Sequence, residues 1–238
     1  MALRRVFVDM IEAGVAVARG AQAHHLVRVA RLKPGEWVEI SDQVAAYRAR
    51  TESCSPGEVR FRVGDALPAP SEPARLRIAL SIIKFARFEW AIEKLTELGA
   101  HSITPLVAAR SDARLVQSAP KRRGRWRRIA MEAAQQSRRV VAPEVTEPVA
   151  FADAVQDCRS ETKLLAEPGS PSAAEHCGGK DTAVLVGPEG GWTPEESEMA
   201  ARSDFRAVGL GANVLRAETA AVALVAIWAS RSCAERGR

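Results

Sequence analysis

The sequence predicts an α/β domain that follows a smaller domain made mainly of β-strands. Within residues 182–227, two short apolar runs each end in a glycine-rich turn, and each turn leads into a helix signal. This alternation is typical of a parallel sheet covered by helices. Within residues 1–66, short alternating runs separated by Gly and Pro-Gly predict β-strands instead. Because ligands bind open α/β sheets beyond the carboxyl ends of the strands, both glycine turns are candidate binding elements.

The composition indicates a soluble, cytoplasmic protein. The chain has 238 residues, and its hydrophobic share of 47% is ample for a packed core. We expect no membrane association, because the chain lacks a run of about 18 apolar residues and a signal-peptide core. The four cysteines and four histidines show no metal-ligand spacing, so we expect no metal site.

Positive charge is concentrated in one segment. The net charge of the chain is +5, but residues 121–139 hold eight basic residues and one acid, a local charge of +7. A charge density of that size suits a polyanion such as RNA. A solvated helix face is the alternative interpretation, and the pattern alone leaves it open.

The first domain is predicted to be a compact barrel. Its strand-like runs are 6–8, 36–40, 47–51 and 59–63. One helical piece, residues 23–32, interrupts them and carries Arg28 and Arg31 at a spacing that puts both on one face. These two arginines face either phosphate or water. Three prolines in residues 67–73 indicate a linker, so we divide the chain into domains 1–70 and 71–238.

The second domain is predicted to open with a strand over residues 75–83 and a helix from about Phe85 to Leu98. Gly99 fits the position just beyond that helix, where glycine is favoured. Lys84 lies at the junction of strand and helix and Arg87 one turn later, so both belong to the functional edge of the sheet.

Further elements alternate along the remainder of the chain. A strand over 102–107 precedes a helix over 125–139 that Pro143 ends, and a short helix over 150–157 precedes a strand over 163–168. Thr193, Pro194 and Glu196 form a capping box that begins the next helix. The final helix begins near Glu218 and is apolar on nearly every side, which predicts burial all round.

Several enzyme classes are disfavoured by absent motifs. The chain lacks G-x-G-x-x-G, G-x-x-x-x-G-K-[ST] and G-x-S-x-G. Dinucleotide oxidoreductases, P-loop enzymes and α/β-hydrolases are therefore weak candidates.

Longer motifs resemble a known family. They are KFARFEWAIEKLTELGA from residue 84, ITPL from 103, EAAQQSRR from 132, GPEGGW from 187 and LGANVLRAETA from 210. Together they are similar to the SPOUT superfamily of RNA methyltransferases, above all to the RsmE type. Enzymes of that type methylate N3 of a uridine in bacterial small-subunit ribosomal RNA. The likeness covers nearly the whole chain, since RRVFV from residue 4 and HHLVRVARLKPGEWVEI from 24 resemble that family's PUA-like β-barrel.

The resemblance implies a SPOUT domain with a C-terminal trefoil knot, a homodimer, and S-adenosylmethionine bound by three loops. The cofactor-binding residues that it implies are Leu165, Ala166, Glu167, Val186, Gly187, Pro188, Glu189, Gly190, Gly191, Leu210, Gly211, Val214, Leu215, Thr219 and Ala220. The chain departs from the family at Asn213, where Arg is common, and at Asp42-Gln43, where Asp-Gly is common. The first departure puts in doubt a role for a charged side chain at 213.

Arg216 and Glu218 are the expected catalytic residues. Attack by uridine N3 requires loss of its proton, and a positioned cation such as Arg216 would stabilise the resulting anion. Glu218 either acts as base or orients Arg216, and we favour orientation because an ordinary carboxylate is a weak base. A structural ion pair at a helix N-terminus is the alternative for both residues.

Phosphate contacts are expected from the basic residues Arg4, Arg5, Arg28, Arg31, Lys84, Arg87, Arg122, Arg123, Arg125 and Arg138. Two rival functions remain open. One is methylation of another RNA position, such as a ribose 2′-hydroxyl, and the other is RNA binding or ribosome assembly without catalysis.

Overall fold

The computed structural model describes residues 3–68, 74–179 and 181–236. The chain forms two compact units, Met1–Ser71 with Ala134–Ala142, and Glu72–Ala133 with Pro143–Arg238. The proline-rich linker marks the change of unit, although its residues 69–73 lie outside the described residues. The return of residues 134–142 to the first unit has no counterpart in the linear sequence pattern.

The first unit is a six-stranded, curled half-barrel. Its strands are β1 (Arg5–Phe7), β2 (Ile11–Glu12), β3 (Val15–Arg19), β4 (Trp37–Ser41), β5 (Ala46–Cys54) and β6 (Glu58–Ala66). They lie in the order β1-β4-β5-β6-β3-β2, with β1 parallel to β4 and the other pairs antiparallel. The four predicted strand runs are confirmed. The prediction missed β2 and β3, and β3 alternates Val with Ala, which has weak strand propensity.

The helical piece of the first unit differs from its prediction. Helix α1 (Gly20–His24) continues as one π-helical turn over His25–Val29, and Ala30 ends it. Arg31 has a left-handed backbone with φ of 53°. The expectation that Arg28 and Arg31 share one helical face is therefore wrong, because the wider turn and the reversal at Arg31 break the helical spacing.

The second unit contains a parallel sheet. Its strands are β7 (Arg75–Ser81), β8 (Ser102–Val107), β9 (Glu144–Val145), β10 (Val149–Ala150), β11 (Thr162–Ala166), β12 (Asp181–Val186) and β13 (Arg206–Val208). The main order is β10-β8-β7-β12-β11-β13, while β9 pairs with β8. Every pairing in this sheet is parallel, which confirms the predicted fold class. Strands β9 and β10 have two residues each and were not predicted.

Helices cover this sheet. They are α2 (Phe85–Glu97), α3 (Ala113–Ser118), α4 (Arg123–Gln136), α5 (Phe151–Gln156), α6 (Ala173–His176), α7 (Pro194–Arg202) and α8 (Ala217–Arg236), with a 3₁₀ turn over Ala119–Arg122. Gly99 follows α2 with φ of 102°, and the capping box at Thr193 and Glu196 begins α7, as predicted. Helices α3 and α6 were not predicted. Helix α4 ends at Gln136, well before Pro143, and Arg138 has a left-handed backbone.

Helix α8 is buried on one side only. Leu224, Val225 and Trp228 belong to the main core of the second unit. Thr219 and Ala226 are exposed, so the prediction of burial all round is wrong for the single chain. None of the helices in the described ranges combines the length and the apolar character needed to cross a membrane.

Candidate functional site

A pocket of about 360 Å³ lies beyond the carboxyl ends of β11, β12 and β13. Three loops form it, which is the position where open α/β sheets bind ligands. Its lining residues are Ala166, Glu167, Pro168, Val186, Gly187, Pro188, Glu189, Gly191, Trp192, Val208, Gly209, Leu210, Gly211, Asn213, Val214, Leu215, Ala217 and Ala220. The volume suits a small organic ligand.

Twelve of the fifteen cofactor-binding residues expected from the family resemblance line this pocket. Three do not. The Leu165 side chain is buried in a core cluster, Thr219 is exposed on α8, and a side chain at Gly190 would meet Arg110. The sequence reasoning missed lining residues such as Pro168 and Trp192, although each lies next to a loop that it singled out.

Trp192 shapes the pocket next to the GPEGG turn. Its ring nitrogen donates a 2.9 Å hydrogen bond to the carbonyl of Ala166, at the end of β11. A Cβ at Gly187 would lie 3.0 Å from the Trp192 ring. Glycine at 187 therefore lets the turn pass directly over the indole and leaves bare backbone at the pocket wall.

Gly209 marks a close crossing of two pocket loops. Its N–H donates a 2.7 Å bond to the Pro171 carbonyl, and its own carbonyl accepts one from Ala173 N at 2.9 Å. A Cβ at Gly209 would lie 2.4 Å from the backbone oxygen of Ser170, a distance that no side chain tolerates. The position therefore requires glycine. The Gly-Leu-Gly turn was the sequence signal for it.

The charged side chains in the pocket lining are acidic. Glu167 accepts hydrogen bonds from Ser197 Oγ at 3.3 Å and Ser170 Oγ at 3.4 Å, and Glu189 lies on the opposite loop. The lining contains neither Lys nor Arg. This balance favours a neutral or cationic ligand over an anionic one.

Arg87 joins the GPEGG turn to the start of α8. Its NH1 lies 3.3 Å from Glu189 Oε1, and its Nε lies 3.6 Å from Glu218 Oε1. Glu218 is buried, and within the described ranges its Oε2 has no hydrogen-bond partner. The ion pair of Glu218 is therefore with Arg87, and the expectation that Glu218 orients Arg216 is not supported.

Arg216 stands in sequence between two pocket-lining residues, Leu215 and Ala217, and is not itself part of the lining. The residue is exposed, and its carbonyl accepts a 2.9 Å bond from Ala220 N in the first turn of α8. Among the described residues, its guanidinium has neither a hydrogen bond nor an ion pair. A cation at the positive end of a helix suits a developing anion. Lys84 is likewise exposed and immediately precedes α2.

The positive charge of residues 121–139 is less available to a ligand than the count of charged residues in that segment suggests. Arg125 Nε lies 2.7 Å from Glu89 Oε1, Arg122 NH1 lies 4.0 Å from the same oxygen, and Arg123 pairs with Glu147. These two acids lie outside the segment in sequence, so the count over residues 121–139 missed them. Arg122 also packs over the Phe85 ring at 4.8 Å.

Arg5 and Arg138 share one buried carboxylate in the first unit. Arg5 NH2 lies 2.8 Å from Glu39 Oε2, and Arg138 Nε donates to the same oxygen at 3.2 Å. Burial opposes ionisation, but hydrogen bonds from Arg138 and Arg5 hold the pKa of Glu39 below its ordinary value. Arg5 is only 7% exposed, which argues against a phosphate contact there. Arg4 and Arg28 are exposed, and Arg4 donates to the Ala30 carbonyl at 3.1 Å.

Comparison with known proteins assigns the family. The family model described as RNA methyltransferase domain matches residues 70–229. Ribosomal RNA small subunit methyltransferase E of Bacillus subtilis is 33% identical, with 92% of this chain and 93% of that protein covered. The protein of the same name from Mycobacterium tuberculosis is also 33% identical, with coverage of 90% and 86%.

Solved structures agree with the sequence relatives. Ribosomal RNA small subunit methyltransferase E from Neisseria gonorrhoeae, bound to S-adenosyl methionine, matches with a TM-score of 0.84 and 26% identity. That match covers 97% of this chain and 98% of the other. The chain therefore belongs to the RNA methyltransferase family, among the relatives named ribosomal RNA small subunit methyltransferase E.

Proposed function

We propose that this chain transfers a methyl group from S-adenosylmethionine to N3 of a uridine in small-subunit ribosomal RNA. The proposal rests on the pocket that twelve of the expected cofactor residues line. The names of the Bacillus subtilis and Mycobacterium tuberculosis relatives support the substrate, and the Neisseria gonorrhoeae complex supports the cofactor.

The residues of the pocket fit S-adenosylmethionine. Gly191 and Gly211 bring bare backbone with open space beside it to the pocket lining, which allows a flat adenosyl group to approach closely. The acidic side chains Glu167 and Glu189 complement a sulfonium cation. When bound, the cofactor supplies an already electrophilic methyl group. The protein then needs to hold the two reactants together and to stabilise the uridine anion.

Arg216 is the residue that we assign to the anion. Removing the N3 proton leaves negative charge on the ring oxygens, and Arg216 stands unpaired by any described residue at the N-terminus of α8. Glu218 and Arg87 serve to position that helix start against the GPEGG turn. A uridine in a paired region must first leave the stack, which costs a few kcal/mol.

The first unit is proposed as a PUA-like RNA-binding domain, and the active form as a cytoplasmic homodimer with a C-terminal trefoil knot. The exposed side of α8, with Thr219 and Ala226 exposed and Val222 half-buried, offers a surface for a two-fold contact. Light scattering should give about twice the chain mass of 25.7 kDa. A monomer that methylates RNA at full rate would contradict the dimer.

Product analysis tests the function directly. The purified chain is incubated with small-subunit ribosomal RNA and labelled S-adenosylmethionine, and the RNA is then digested to nucleosides for mass spectrometry. We expect N3-methyluridine. A 2′-O-methylated nucleoside would mean that another position is the target, and RNA binding without transfer would favour an assembly factor.

A further inference from the structure

An exposed tryptophan lies in a row of arginines on the first unit. Trp37 on β4 is opposite Arg50 on β5, and Arg50 is opposite Arg62 on β6. The neighbouring residue Val38 faces the core, so Trp37 is on the other face of the sheet, where it is 51% exposed. The three residues thus form a line across adjacent strands, which lie about 4.8 Å apart.

The cations nearest Trp37 are not neutralised by carboxylates. The guanidinium carbon of Arg48 lies 5.6 Å from the Trp37 ring centre, and Arg50 Nε donates to the Gly35 carbonyl at 3.3 Å. Neither arginine forms an ion pair with an acid that the structure describes. Arg62, by contrast, pairs with Glu52 at 2.5 Å.

Trp90 provides an internal comparison. It is 44% exposed on α2, a helix that also carries Glu89, Glu93 and Glu97. Within the described part of the chain, no cation packs over the Trp90 ring as Arg48 does over Trp37. The two tryptophans are thus similarly accessible, and their electrostatic surroundings differ.

We propose that Trp37, with Arg48 and Arg50, is a stacking site for an unpaired base of RNA. An indole presents a flat surface that any base can stack on, and adjacent arginines attract the phosphates on either side of it. Arg48 already packs on the ring, so a base on the remaining exposed surface completes a cation–indole–base stack. The inference rests on the proposed function only in taking RNA as the partner.

Binding without cofactor tests the site separately from methyl transfer. The probe is a fluorescent oligouridylate of about 12 nucleotides, within the length that one such surface binds. Trp37→Ala should weaken binding by about 5- to 150-fold, the range for loss of one stacked base. Trp37→Phe should retain most of the affinity, because a stacking ring remains.

Salt dependence separates stacking from charge. Trp37→Ala should leave the slope of log affinity against log salt unchanged, whereas Arg48→Ala with Arg50→Ala should flatten it by about 0.7 per lost phosphate contact. Trp90→Ala is the matched control and should bind like the parent. Equal affinities for the Trp37→Ala and Trp90→Ala variants, at unchanged melting temperature, would overturn the proposal. A change of oligomeric mass in Trp37→Ala would assign the surface to a protein contact instead.

If Trp37→Ala loses RNA binding while the parent never methylates RNA, the stacking site stands and the proposed reaction fails. If the parent methylates uridine and Trp37→Ala binds normally, the reaction stands and the stacking site fails.

Discussion

Residues 121–139 and the loop at Arg216 use arginine in opposite ways. Positive charge is densest in sequence over residues 121–139, yet Arg122, Arg123 and Arg125 each have a carboxylate partner. Arg216 has none among the described residues, although its local sequence is unremarkable in charge. The difference teaches that linear charge density overestimates the charge available to a ligand, because acids distant in sequence neutralise it.

The largest expected effect concerns Glu39, the buried carboxylate that pairs with Arg5 and Arg138. Changing Glu39→Gln leaves Arg5 buried without its counter-charge, which should cost about 3–5 kcal/mol in free energy of unfolding. Urea unfolding measures it, with the exposed Glu36→Gln as control.

The pH dependence of the free energy of unfolding tests this role of Glu39. The pKa of Glu39 is lowered on folding from its ordinary value of 4.5, so its contribution to stability is present above about that pH and is lost as pH falls through the folded pKa. The stability gap between parent and Glu39→Gln should therefore narrow in acid. A gap that widens there would contradict the role of the ion pairs.

The next effect concerns the unpaired arginine. Arg216→Ala should lower turnover by about 100- to 1,000-fold, as for loss of one oxyanion donor, and change cofactor affinity by less than about tenfold. Arg216→Lys should recover only part of the rate, since a point charge does not replace the guanidinium fork. The Ala variant should also gain more from raised pH than the parent does.

Arg202→Ala on α7, where Arg202 pairs with Glu198, is the control and should turn over normally. If Arg216→Ala instead loses cofactor binding and keeps its rate at saturation, Arg216 is a binding residue, and Lys84 and Arg87 become the candidates for the anion.

A third prediction compares two glycines of one turn. Gly187→Val adds a side chain against Trp192 at the pocket wall, whereas Gly190→Val adds one against Arg110. At S-adenosylmethionine about 100 times the dissociation constant, the parent should be stabilised by about 2.7 kcal/mol. Thermal melting should show this gain lost in Gly187→Val and kept in Gly190→Val. The reverse result would place the ligand on the Arg110 side.

The smallest effect concerns the arginines of residues 121–139. Glu89→Gln should release Arg122 and Arg125 and steepen the salt dependence of RNA binding by up to about 0.7–0.9 per arginine that contacts phosphate. Glu198→Gln on α7 removes one negative charge elsewhere and should leave the slope unchanged. Replacing Arg122, Arg123 and Arg125 together by Ala should flatten the slope, and no change would mean a solvated helix face.

Local signals in the sequence predicted local structure well. The capping box at Thr193 and Glu196 and the glycine at 99 depend on a few neighbouring residues, and both are confirmed. The strand and helix order of the second unit followed from the periodicity, apart from short elements such as β9 and α6. Strand β9 has two residues and α6 has four, which are too few for a period to register.

Contacts between distant residues were not predictable from one sequence. Glu39 pairs with Arg5 and Arg138, and Glu218 with Arg87, across separations that periodicity does not address. The pocket was anticipated by the glycine turns at the strand ends and by motif resemblance. Trp192 was missed because the resemblance implied only the glycine loop that precedes it. The prediction that Arg28 and Arg31 share one face was wrong for another reason. The π-helical turn over His25–Val29 changes the direction in which every later side chain of that segment points.

The backbone contact at Gly209 bears on how long the pocket lasts. Gly209 crosses Ser170 directly, although two helices, α6 and α7, and two strands separate them along the chain. Contacts between such remote segments form late in folding. Helix α8 packs on α6, which directly follows the crossing. We therefore expect slow unfolding, so that the lifetime of the pocket is set by a rate as much as by an equilibrium.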